Sequence, residues 1–142
     1  MSGLSYFLSQ NAVQNENIKY VASRRFVDEK KNPVEWELSC VGSDEDESIR
    51  KACTRKVPVP GKKNQYLPET DYDAYLGKLA ARCTVFPNLN DKELQDSYGV
   101  MGADTLLKKM LKPGEYQDYL KKVQEVNGFD TAMDELVDEA KN

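Results

Sequence analysis

Apolar and polar residues alternate with a period of two early in the chain. Val34, Trp36, Leu38 and Cys40 interleave with Glu35, Glu37 and Ser39, which gives an extended strand one apolar and one acidic or polar face. Residues 18–27, just upstream, are rich in β-branched and aromatic side chains. A polar connection, residues 28–33 ending in Asn32-Pro33, joins the two runs, and the pattern predicts an antiparallel hairpin. Trp36 is then a core anchor beneath the hairpin, with an exposed binding hot spot as the sharper alternative.

The next segment changes character. Ser43 precedes the acidic run 44–47, followed by Ile49, Ala52 and Cys53. Early carboxylates complement a helix dipole and Ser43 can cap free amides, so a short helix is expected near 44–55. Residues 57–67 contain Pro58, Pro60 and Gly61 beside Lys62 and Lys63, which reads as an extended loop or at best an edge strand.

From Thr70 onward the period becomes helical. Thr70 with Asp73 resembles a capping box, and Tyr72, Tyr75, Leu76, Leu79, Cys83 and Phe86 form one apolar stripe that Pro87 stops. Asn90 with Glu93 starts a short helix ending at Gly99. Residues 104–112 carry Leu106, Leu107, Met110 and Leu111, and Pro113 opens another helix with Tyr116, Tyr119, Leu120 and Val123 in its stripe, stopped by Gly128. A last helix is expected near 131–141, with Met133, Leu136, Val137 and Ala140. The expected class is α+β: an N-terminal β-hairpin followed by a C-terminal bundle of short amphipathic helices. The 142 residues suit one domain, with 18–67 as the hairpin-containing part and 70–142 as the helical part.

Composition narrows the chemistry. The chain has no histidine, which removes Ser-His-Asp and Cys-His pairs and most catalytic zinc sites. Cys40, Cys53 and Cys83 are odd in number and far apart, so they read as reduced, mostly buried thiols of a cytoplasmic protein. Neither a P-loop nor a dinucleotide-binding glycine pattern is present. The acidic runs 44–47 and Asp134, Glu135, Asp138 and Glu139 suit solvated helix faces better than metal ligands. No catalytic residue, cofactor or metal is expected. Net charge is −4, from +1 over residues 1–88 and −5 over 89–142, which argues against nucleic acid as a partner. No apolar run reaches bilayer length, and residues 1–10 lack an export signal's basic start and long apolar core.

Several ordered stretches carry a likeness to a known family. They are Ser23-Arg-Arg-Phe26, Pro33-Val-Glu-Trp36, the run from Phe86-Pro-Asn-Leu-Asn to Val100, Leu106-Leu-Lys-Lys-Met-Leu-Lys-Pro-Gly-Glu-Tyr116, Val126-Asn-Gly-Phe129 and Glu139-Ala-Lys-Asn142. Together they resemble the XkdN-like tail assembly chaperones of PBSX-type Bacillus phages and prophage elements. The resemblance implies a non-enzymatic protein of the host cytoplasm. It would bind the tape measure protein, a long helical chain, and possible further partners are the tail-tube protein and other copies of itself. Short amphipathic helices must bury their stripes against something: periodicity alone favours packing on each other and on the hairpin, whereas the resemblance favours leaving part of the surface open for a partner helix. The expected partner groove is Leu106, Leu107, Met110, Leu111, Tyr116, Tyr119 and Leu120, where Met and Tyr suit varied sequences. The alternative is a structural tail or baseplate component.

Overall fold

The computed structural model describes residues 3–129. Strand β1 (Ile18–Tyr20) pairs antiparallel with β2 (Trp36–Leu38), Ile18 opposite Leu38 and Tyr20 opposite Trp36. The expected hairpin therefore forms, with shorter strands. Ala22 and Ser23 turn into the interior, and the Arg25 guanidinium donates to the Met110 carbonyl, which draws residues 21–26 off the ladder. An isolated bridge between Val27 and Pro33 closes the connection.

Helix α1 (Ser43–Ala52) follows as expected, but Gly42 holds the N-cap position, no side chain caps it, and Ser43 is its first helical residue. Residues 57–67 are both things expected of them: 59–65 form a turn and loop, and the residues on either side are edge strands of a two-stranded ribbon. Strand β3 (Thr54–Pro58) pairs antiparallel with β4 (Tyr66–Thr70), with Val57 opposite Leu67 and Pro58 opposite Tyr66. Each strand of an isolated ribbon points alternate N–H groups outward, so prolines fit at those positions without breaking the ladder.

Helix α2 (Tyr72–Cys83) starts one residue later than the capping-box reading implies. Asp71 accepts from the Ala74 N–H at 3.1 Å, while the Thr70 hydroxyl is held by Thr54 across the ribbon at 2.7 Å. The helix also ends earlier. Thr84, Val85 and Phe86 form β5 (Thr84–Phe86), which pairs antiparallel with β2 and completes a sheet of order β1-β2-β5. A β-branched, β-branched, aromatic triplet suits a strand, and the Ser39 N–H reaches the Cys83 carbonyl at 2.8 Å to extend the junction.

Helix α3 (Lys92–Ser97) is capped by Asp91, which accepts from the Leu94 N–H at 2.9 Å. The expected Asn90 instead sits in a turn with its N–H on the Asn88 side chain. Gly99 follows in the left-handed region with φ +66. Helices α4 (Ala103–Met110) and α5 (Pro113–Val126) match expectation, with Pro113 in the first turn and the Glu115 carboxylate accepting from the Lys112 N–H at 2.9 Å. The helix expected near 131–141 lies outside the described residues.

One core joins these elements. Helices α2, α4 and α5 pack on one another. Trp36 on β2, 1% exposed, meets the Tyr119 ring of α5 edge-on at 5.4 Å, so Trp36 is the core anchor. The Asn127 side chain accepts from the Val41 N–H and donates to the Val123 carbonyl, tying the end of α5 to the segment after β2. Cys83 is buried, whereas Cys40 and Cys53 are only half-buried, and all three thiols are free.

Candidate partner-binding surface

The helical residues expected to form a groove are in the interior. Leu106, Leu107, Met110, Leu111, Tyr119 and Leu120 are buried and Tyr116 is half-buried. These side chains do not line an open groove; they are the contact layer between α4, α5, α2 and the sheet. The stripes are satisfied internally because the sheet offers Trp36 and Leu38, and α2 offers Tyr75, Leu79, Ala80 and Cys83, all buried in the same cluster. Gly77 permits the close approach: a Cβ there would lie 2.9 Å from the Tyr116 hydroxyl.

Ionisable groups in this interior are pushed toward inert forms. Burial raises the Cys83 thiol above its ordinary range, which keeps it protonated and poorly nucleophilic. Tyr75 is pushed up to about 12, first by burial and then because the Asp46 carboxylate accepts its O–H. Tyr119 is raised by burial as well. Glu115 is lowered, chiefly by the Lys112 N–H it accepts. Asp46 also pairs with Arg50 within α1, and Arg82 of α2 pairs with Glu45, which latches α1 onto α2 by charge as well as packing. Among the described residues no group of three or more potential ligands could hold a metal ion, and no helix is long and apolar enough to cross a membrane.

Exposed apolar surface lies elsewhere. The N-terminal 3-10 helix Gly3–Phe7 carries Leu4 and Phe7 at 72% and 81% exposure, and Tyr6 and Leu8 are exposed beside them. This arm is marked in the sequence by Leu4, Phe7 and Leu8 at the i, i+3, i+4 spacing of an apolar face. Between the end of the arm and α5 lies an open recess of about 400 Å³ lined by Gln14, Glu16, Ile18, Cys40, Lys122 and Glu125, among others. The second exposed feature is the β3–β4 ribbon, with Tyr66 and Leu67 in solvent. Its signal in the sequence is the Pro60-Gly61 turn between Val57 and Leu67.

The fold and these surfaces define a small α+β protein with a closed core and apolar side chains offered on peripheral projections. Residues 4–141 match the family described as phage XkdN-like tail assembly chaperone protein. Among curated relatives, the phage-like element PBSX protein XkdN of Bacillus subtilis (strain 168) is 29% identical over 140 residues, 98% of this chain and 93% of that protein. The uncharacterized protein YqbN of the same organism is 30% identical over the same length and shares. The crystal structure of YqbN superposes with a TM-score of 0.76 at 27% identity, covering 92% of this chain and 99% of that one. The chain belongs to the XkdN-like phage tail assembly chaperone family.

Proposed function

We propose that this chaperone binds the tape measure protein of its own phage element and shields that long helical chain until tail-tube subunits close around it. An extended chain with exposed apolar helical faces aggregates unless those faces are covered, and a removable cover calls for modest contacts. The observation that carries the contact surface is the contrast between a fully interred helical core and an apolar arm in solvent. Leu4, Tyr6, Phe7 and Leu8 supply the apolar anchors, while the residues of α4 and α5 hold the scaffold that presents them.

Co-expression with the tape measure protein, followed by affinity capture, tests the reading. Wild-type protein should capture its partner and raise its soluble yield. Leu4→Asp with Phe7→Asp should cut capture about tenfold, since two apolar anchors of this size contribute at least 1.4 kcal/mol together, while the unfolding midpoint stays at the wild-type value. Undiminished capture by that variant rules out the arm. A wild-type protein that captures nothing rules out the tape measure protein as partner.

A further inference from the structure

We propose that the β3–β4 ribbon is a second contact surface, built to seat an acidic amphipathic helix; this rests on the reading of the protein as a chaperone of a helical chain. Residues 54–70 carry Arg55, Lys56, Lys62 and Lys63 against Glu69 alone, in a chain whose net charge is −4. None of these four cations makes an ion pair within the described residues; other cations of the chain are unpaired too, but here four are gathered on one projection whose single acid, Glu69, stands opposite Arg55. A cation left unpaired on a projecting element is available to a partner's charge, where it adds specificity and association rate.

Apolar surface lies among the charges. Tyr66 and Leu67 are 57% and 59% exposed on β4. Pro58 pairs with Tyr66 and Lys56 with Pro68 across one face of the ribbon, and Val57 pairs with Leu67 on the other. Where the ribbon meets the end of α1, an open recess of about 400 Å³ is lined by Arg50, Lys51, Arg55 and Lys56, with Glu47 as its one acid. On the first of these faces Tyr66, Pro58 and Pro68 lie beside Lys56, an aromatic and basic surface that matches a helix with an apolar stripe flanked by carboxylates.

The ribbon's own covalent structure argues for a helix over an added strand. Pro58 and Pro68 remove N–H groups from β3 and β4, which blunts both edges against pairing with another chain. Recognition is thereby left to the side chains on the faces. A nucleic-acid strand is the poorer fit. The chain as a whole carries a net charge of −4, and a polyanion extending beyond the ribbon is repelled by it. A short acidic helix confines its charge to the ribbon.

The test uses the full chain and three labelled probes: an acidic amphipathic helical peptide, the same peptide with lysine at every glutamate, and an oligothymidine strand. The acidic peptide should bind, and its affinity should fall about tenfold between low and high salt as screening sets in. The variant Arg55→Gln, Lys56→Glu, Lys62→Glu, Lys63→Glu, which avoids two carboxylates facing each other at the Arg55–Glu69 pair, should lose that binding and its salt dependence. The milder Lys62→Glu, Lys63→Glu variant should weaken it in part, and both should unfold at the wild-type midpoint. Equal binding of the acidic and basic peptides, or tighter binding of oligothymidine, overturns the proposal. The same ribbon variants in the tape measure capture assay separate the two readings. Full capture by variants that no longer bind the acidic peptide sinks the ribbon's role in that complex, and failed capture by wild type sinks the partner assignment instead.

Discussion

The Tyr116 hydroxyl is buried without a hydrogen-bond partner among the described groups. A stranded polar atom of this kind costs about 1–3 kcal/mol, so Tyr116→Phe should leave stability unchanged or raise it. Gly77 faces the same oxygen, 2.9 Å from where a Cβ would stand. Gly77→Ala should therefore destabilise by about 1–3 kcal/mol through overpacking. Tyr116→Phe should restore much of that loss, because the clashing atom is gone. Urea midpoints of the two single variants and the double variant measure the coupling; an equal Gly77→Ala loss in both backgrounds would place the clash elsewhere. Tyr75 gives a pH-dependent counterpart. Its folded pKa is pushed up to about 12 from an ordinary 10.0 by burial and by the Asp46 carboxylate. As pH rises the unfolded chain gives up this proton first, so the stability it contributes is intact below pH 10 and is lost between about 10 and 12. Tyr75→Phe should thus flatten the alkaline limb of the stability profile and lower stability near neutrality by about 1.5–3 kcal/mol, the loss of a bond to a charged acceptor. An unchanged alkaline limb would show that Tyr75 does not titrate as its surroundings dictate.

At the scale of elements, α4 and α5 are structural members, and substitutions in them should behave accordingly. Leu107 and Tyr119 are fully buried. A carboxylate at either site places an unpaired charge in the core, which should cost more than about 4 kcal/mol and abolish cooperative unfolding. Leu107→Ala, a cavity variant, should cost about 2–5 kcal/mol yet leave partner capture intact well below its lowered midpoint. A folded Leu107→Asp protein that merely loses its partner would return α4 to the role of an open groove. The amphipathic stripes were legible because three- and four-residue spacing is a property of the helix itself, and so α4, α5 and most of α2 stand where the pattern put them. What a stripe faces is not local. Whether Tyr119 meets a partner or the protein's own sheet depends on Trp36 of β2 and Thr84 of β5, and β5 hides in the last three residues of an apparent helical stripe. The ribbon was hidden for the opposite reason. Pro58, Pro60 and Pro68 argue against a central strand, but in a ribbon with two free edges they interrupt nothing.

At the scale of the molecule, a core closed by the protein's own helices separates folding from binding. Trp36, Tyr75, Tyr119 and the leucines around them are buried without any partner chain, so the scaffold persists before and after it engages a tail component. The proposed contacts, through an apolar arm of a few residues and a basic ribbon, would be small compared with an obligate interface. They are also peripheral, and a competing assembly reaction can displace them one at a time. A permanent tail component has the reverse requirement, since it must bury a large, dry surface to stay in place. The prediction is that purified tails from the element encoding this chain lack it, while lysates arrested before tube polymerisation contain it bound to the tape measure protein. Quantitative mass spectrometry of both fractions measures this directly. Stoichiometric recovery in finished tails would make it a structural subunit, and the interred stripes of α4 and α5 would then be the scaffold of a part that remains in the particle.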